Sequence, residues 1–232
     1  MNKKILTIAF AVLVFLVGLS LYFLSPKPKN EKNANISLYQ EKDHYEAGDF
    51  MDSPIVESDE LERVIGRLNE AYVRLKEGDK PYLRWIDIGL YKKVLGDYRG
   101  AENAWRNSVS LAANPGLAYG NLANLYFYNL KEFDKAEEYY LKAIEITPSA
   151  YTYREGLADL YRYELEDKRG LVEEIMIEGS KQDSANAIIY YAYLVDFFAA
   201  IKDNNKASEY VGKVKKIDPN WEIYGEDIEI SN

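Results

Sequence analysis

The sequence predicts an all-α protein: a solenoid of about four helix–turn–helix repeats behind an N-terminal capping helix, all following one N-terminal transmembrane helix. Three observations predict it. Residues 5–24 form a twenty-residue run with no charge. Small and bulky residues recur at an interval near 35 between residues 82 and 220. Within each interval the apolar residues fall three and four apart, the period of a helix face.

The run ILTIAFAVLVFLVGLSLYFL at 5–24 makes about 30 Å of helix, the thickness of a bilayer's hydrocarbon core. Lys3 and Lys4 precede it, Tyr22 sits near its far end, and Ser25-Pro26 ends it. Residues 1–24 are therefore expected to anchor the chain. A cleaved signal peptide is the competing reading, because Gly18 and Ser20 have the spacing of a cleavage site after Ser20. Lysines flank both ends, so the positive-inside rule decides little. N-terminal anchors of this form export the domain on their C-terminal side, which places the soluble domain outside the cytoplasm. The expectation is a single-pass membrane protein with an extracytoplasmic domain.

Residues 25–54 are rich in Lys, Asn, Glu, Asp and Pro without sustained periodicity and read as a flexible polar linker. Thirty such residues reach about 100 Å at most. Leu38, Tyr39, Tyr45, Phe50 and Met51 are its apolar residues with docking potential. The repeat domain is expected over 55–232, opening with a capping helix at 58–77. Ser58 is its candidate cap, Asp59 and Glu60 favour its positive end, and Gly78-Asp79-Lys80-Pro81 stops it.

Four units come next, at about 82–115, 116–148, 150–184 and 187–220. Their first helices carry Trp85-x-x-Ile88-Gly89, Tyr119-x-x-Leu122-Ala123-x-x-Tyr126, Leu157-Ala158-x-x-Tyr161 and Tyr191-x-x-Leu194-Val195-x-x-Phe198. Ile88, Leu122, Leu157 and Leu194 lie 34, 35 and 37 apart. In the second helices Ala101, Ala136, Val172 and Ala207 lie 35, 36 and 35 apart. Pro148 and Pro219 close the second and fourth units, each 12 residues after the small residue. The third unit departs, with Val172, an Asp167–Gly170 charged turn and no closing proline; its second helix is expected bent or displaced. One helical pair cannot cover its own apolar face, so the units must stack. Most of the 21 tyrosines are accordingly read as core. The tail 221–232 offers Trp221, Ile223 and Tyr224 as a seal over the last helix.

This pattern resembles the tetratricopeptide repeat family over roughly residues 82–220, with the second unit the best match. The resemblance implies a superhelix whose inner, concave surface is lined by first helices and receives a peptide or partner helix. Carried onto this sequence, that surface comprises Leu90, Lys93 and Val94 in the first unit and Asn124, Phe127 and Tyr128 in the second. Glu155, Asp159, Arg162 and Tyr163 belong to it in the third, and Ala192, Asp196 and Ala199 in the fourth. A ligand carrying Lys or Arg beside apolar anchors would complement the aromatics and acids of this set. One subclass of the family grips C-terminal carboxylates with paired Lys and Asn; Ile86 and Gly120 stand where a lysine is needed, so that specificity is not expected.

Composition excludes several classes. Residues 1–32 carry five lysines against Glu31, so a net −9 for the chain leaves −13 on residues 33–232. Such a domain repels phosphate backbones, and nucleic acid is not an expected partner. With no cysteine and one histidine, His44 in the linker, there is neither a thiolate site nor a histidine relay. No phosphate loop, GxSxG or HExxH occurs. The chain is expected to be no enzyme and to use no cofactor or metal. The leading reading is a membrane-anchored scaffold or adaptor for a protein or peptide. The alternatives are a self-associating structural component of an envelope, with homo-oligomers formed, and an exported chaperone or assembly factor.

Overall fold

The structure, a computed structural model, describes residues 42, 44–55 and 57–222. The anchor, most of the linker and the tail beyond Glu222 lie outside the described residues. Among those described, no helix is long and apolar enough to cross a membrane.

All regular structure among the described residues is helical. A 3-10 turn at Ala47–Phe50 precedes α1 (Ser58–Lys76). Next come α2 (Pro81–Val94), α3 (Tyr98–Val109), α4 (Gly116–Asn124) and α5 (Phe133–Ile146). The array continues with α6 (Tyr151–Tyr163), α7 (Val172–Gln182), α8 (Ala187–Ala200) and α9 (Asn204–Ile217). Each helix packs on the next in chain order, the arrangement the repeat interval requires. Polar contacts also join first helices to each other, Arg162 of α6 to Asp196 of α8, and second helices to each other, Glu173 of α7 to Tyr210 of α9. The array therefore has two layers.

Small residues set the helix spacing. At Gly89 a Cβ would come within 2.3 Å of the Trp105 indole, whose Nε1–H donates to the Ile86 carbonyl at 3.1 Å. Gly120 and Gly156 give the same close approach to Tyr153 and Tyr140. Between units, one glutamate on each of the first three second helices gathers donors from its surroundings. Glu102 takes the Tyr126 hydroxyl at 2.5 Å and ion pairs with Arg99 and Arg106. Glu137 takes the Tyr161 hydroxyl and Lys168, and Glu173 takes Tyr210 and Lys206.

Two expectations are corrected. The linker expected over 25–54 does not run free to residue 54. Tyr45 is buried, stacks on Tyr72 at 5.6 Å, and exchanges two hydrogen bonds with Asn69 at 2.8 and 2.9 Å. Its hydroxyl accepts from the fully buried ammonium of Lys92 at 3.1 Å, and Phe50 is buried beside it. Apolar side chains spaced among polar ones thus form a strap over α1 and α2. Ser58 is the first residue of α1 and not its cap; Glu57 holds the cap position without a side-chain bond to the helix. Beyond Asn124, α4 continues as a π-helical stretch, Leu125–Leu130.

The third unit is irregular where its sequence departs. A 3-10 segment, Glu166–Leu171, stands between its helices, and Ser184–Asn186 replaces the closing proline. Trp221 is partly buried against the main core, as a seal would be; Ile223 and Tyr224 are outside the described residues.

Candidate functional site

The residues carried onto the first-helix face fall into two groups. Leu90 and Val94, 48% and 40% exposed, line a groove between α1 and α2 with Glu60, Arg63, Val64, Arg67 and Tyr91. Lys93 is partly exposed on the same helix. The rest gather where α4, α6 and α8 lie side by side.

There the π-helical extension of α4 matters. A wider turn shifts the side chains beyond it, and in this stretch Phe127 is 4% exposed while its neighbour Tyr128 is 50% exposed. Phe127 is therefore core, not ligand-facing, and backs the Tyr128 ring at 4.3 Å. Asn124 accepts the Tyr140 hydroxyl at 2.6 Å. On α6, Glu155 accepts the hydroxyl of Tyr151 at 3.0 Å and Asp159 that of Tyr193 at 2.7 Å. Arg162 donates to Asp196 at 2.6 Å, and its guanidinium lies over the rings of Tyr163 at 5.0 Å and Phe197 at 6.0 Å. Arg162 is thus an internal partner of this face with little of its side chain open to a ligand. Tyr163 is 57% exposed and Asp196 is exposed, whereas Ala192 and Ala199 are half-buried spacers.

Charge and burial oppose one another here. Burial, and then the nearby Asp196, push the Asp159 carboxyl above its ordinary value against the pull of Tyr193 and Arg162. The Tyr128 hydroxyl is raised by burial and by the negative charges of Asp159 and Glu155. Burial likewise raises Tyr140, Tyr151 and Tyr193, which stay protonated donors at neutral pH. Among the described residues no group of three or more His, Cys, Asp or Glu is placed to hold a metal ion. What the face offers is carboxylate oxygens beside two exposed phenol rings, a setting suited to a cation on an apolar stem.

Sequence reasoning misses the hydroxyl donors Tyr140, Tyr151 and Tyr193. Two have a readable signal. Tyr193 lies 34 residues after Asp159, one repeat length, and Tyr151 precedes Glu155 by four, one helical turn.

A comparison with curated proteins found no match. Residues 117–149 match the family model described as tetratricopeptide repeat, a span covering α4 and α5. The chain thus carries a tetratricopeptide repeat within an all-helical array, an element that suits a protein–protein interaction scaffold.

Proposed function

We propose that the chain is a membrane-held adaptor that binds a protein or peptide across α4, α6 and α8. The observation that carries this is the pairing of exposed rings, Tyr128 and Tyr163, with the carboxylates of Glu155, Asp159 and Asp196. The partner segment bears Lys or Arg next to apolar residues: its cation meets Asp159 and Glu155, and its apolar part lies on the tyrosines. The apolar run at 5–24 tethers the domain to a bilayer as a single pass, with the domain outside the cytoplasm. The role is binding, not catalysis, and a domain carrying −13 takes no nucleic acid.

The test is site-specific photo-crosslinking from positions 128 and 163, with the full chain in its native membrane. One recurring partner is expected at both positions, and Asp159→Lys should abolish it by placing like charge against the ligand's cation. If neither position captures a specific partner, the adaptor reading fails. Protease added to sealed cells or vesicles reports the membrane side; a domain protected from outside would overturn that placement.

A further inference from the structure

The groove between α1 and α2 differs in character from the rest of this acidic domain. Its apolar rail is Leu90 and Val94, one turn apart on α2; its basic rail is Arg63 and Arg67, one turn apart on α1. Arg63 pairs with Glu60 at the groove's edge. The groove thus calls for a segment in which acids and branched apolar residues alternate at a spacing near one helical turn.

The chain contains such a segment. After Glu222 it runs Ile223-Tyr-Gly-Glu-Asp-Ile-Glu-Ile230, with three acids and no Lys or Arg over 223–230. In an extended chain Ile228 and Ile230 share one side, about 6.6–6.8 Å apart, and Asp227 and Glu229 the other. That spacing is close to the 5–6 Å between Cβ atoms one turn apart on a helix. We propose that the α1–α2 groove takes residues 223–230 of a second copy, so that copies join head to tail.

A second copy is favoured by reach. Ile228 lies six residues past Glu222, a span of about 22 Å at most. The groove lies seven helices earlier, and seven steps of about 8–10 Å, folded into two layers, advance about 28–35 Å. A contact between the last helix of one copy and the first of the next is heterologous, so copies add head to tail into open chains or rings as concentration rises.

The proposal does not depend on the α4–α6–α8 face, and crosslinking from position 163 is a separate readout. The test compares the full chain, kept in mild detergent, with a chain ending at Glu222, both measured by sedimentation over a wide range of concentration. Growth in mass is expected for the first and not for the second. A labelled peptide of sequence 222–232 should bind the shortened chain, with affinity lowered about tenfold or more by Leu90→Asp, which removes one exposed anchor without touching the core. Arg67→Glu should weaken binding, and Glu229→Arg in the peptide should restore it. Equal masses for the two chains, or no peptide binding, would overturn the proposal. Compaction of the single full chain without growth in mass would also overturn it, by placing the segment on its own copy.

Discussion

In the second unit a lysine, two rings and another lysine share one column: Lys135 lies 5.0 Å from the Tyr126 ring, Tyr126 stacks on Tyr139 at 5.5 Å, and Lys142 lies 4.9 Å from Tyr139. The fourth unit repeats it with Lys206, Phe198, Tyr210 and Lys213, at 4.7, 5.6 and 4.2 Å. The third unit keeps only Tyr161 with Lys168 over it, because Ile175 and Glu178 stand where the second ring and second lysine belong. Its second helix has 11 residues against 14 in both neighbours. In compensation the buried Arg154 donates to the carbonyls of Pro148 and Ile175, both at 3.3 Å, tying the end of the second unit to the second helix of the third. An array whose energy resides in neighbouring interfaces tolerates one irregular unit while the seams on either side hold. The relaxed unit is also the one that supplies Glu155 and Asp159.

The largest test of that comparison removes the rings. Tyr126→Ala, at a fully buried position, should cost about 3–5 kcal/mol. Tyr161→Ala should cost less by about 0.5–1.5 kcal/mol, the worth of the missing ring pair. Urea unfolding monitored by circular dichroism measures both. Equal losses would mean that the column adds nothing beyond burial. Next in size is a pair of glycines. At Gly179 in the third unit a Cβ would meet the Tyr190 ring at 2.2 Å and the Arg154 Cδ at 2.6 Å, so Gly179→Ala should cost about 1–3 kcal/mol. At Gly212 in the fourth, nothing lies within 4 Å, and Gly212→Ala should gain up to about 1 kcal/mol of helix propensity. Effects of one sign at both positions would refute this packing.

The legibility of each feature in the sequence depends on how local its causes are. The repeat interval and its small residues report helix pairing directly, so helix order and the break at 78–81 can be read from sequence. The third unit's departure is equally visible, in Val172 and the Asp167–Gly170 turn. The π-helical stretch is not, since a one-residue widening leaves no mark on a period near 3.6; for that reason repeat position puts Phe127 on the face although it belongs to the core. The strap escapes too. Tyr45 and Phe50 lack periodicity, and their burial depends on Asn69, Tyr72 and Lys92, which come from other elements. Of the candidate face, Tyr128, Asp159 and Tyr163 are readable from repeat position. The hydroxyls that engage the carboxylates require partners one helix away.

A smaller effect sharpens the comparison at the turns. Between the paired helices, the first unit uses Gly96 in a left-handed conformation at φ 86°, while the second and fourth use Lys131 at 55° and Lys202 at 61°. The third unit has Leu165 there at −104° and inserts its 3-10 segment. A side chain in that region is strained, and glycine relieves it at some entropic cost in the unfolded chain. Lys131→Gly and Lys202→Gly should each stabilise by up to about 1 kcal/mol, the left-handed strain relieved less the entropy glycine adds to the unfolded chain, read as a higher urea midpoint. Leu165→Gly should not stabilise, and a gain there would remove the distinction between the units.

The smallest change in stability is expected at Asp159, and it bears most directly on function. Asn124 in the second unit occupies the same repeat position and accepts a tyrosine hydroxyl through its amide oxygen. Asp159→Asn would make the third unit like the second, preserving the bond from Tyr193 without a charge to bury. Because the native carboxyl binds its proton more tightly than the ordinary 3.8 of an unfolded chain, the folded state holds more protons between the two values. Stability of the natural chain should therefore fall as pH rises from 3.8 through the raised value, and the Asn variant should lack that component. Comparing urea midpoints of the two chains at acidic and neutral pH measures it. The natural residue is then less favourable to the fold at neutral pH than its amide, a cost expected where a charge is kept for a ligand. If the amide instead lowers stability at neutral pH and leaves binding of a basic peptide unchanged, Asp159 serves the fold and the cation-binding role assigned to this face is lost.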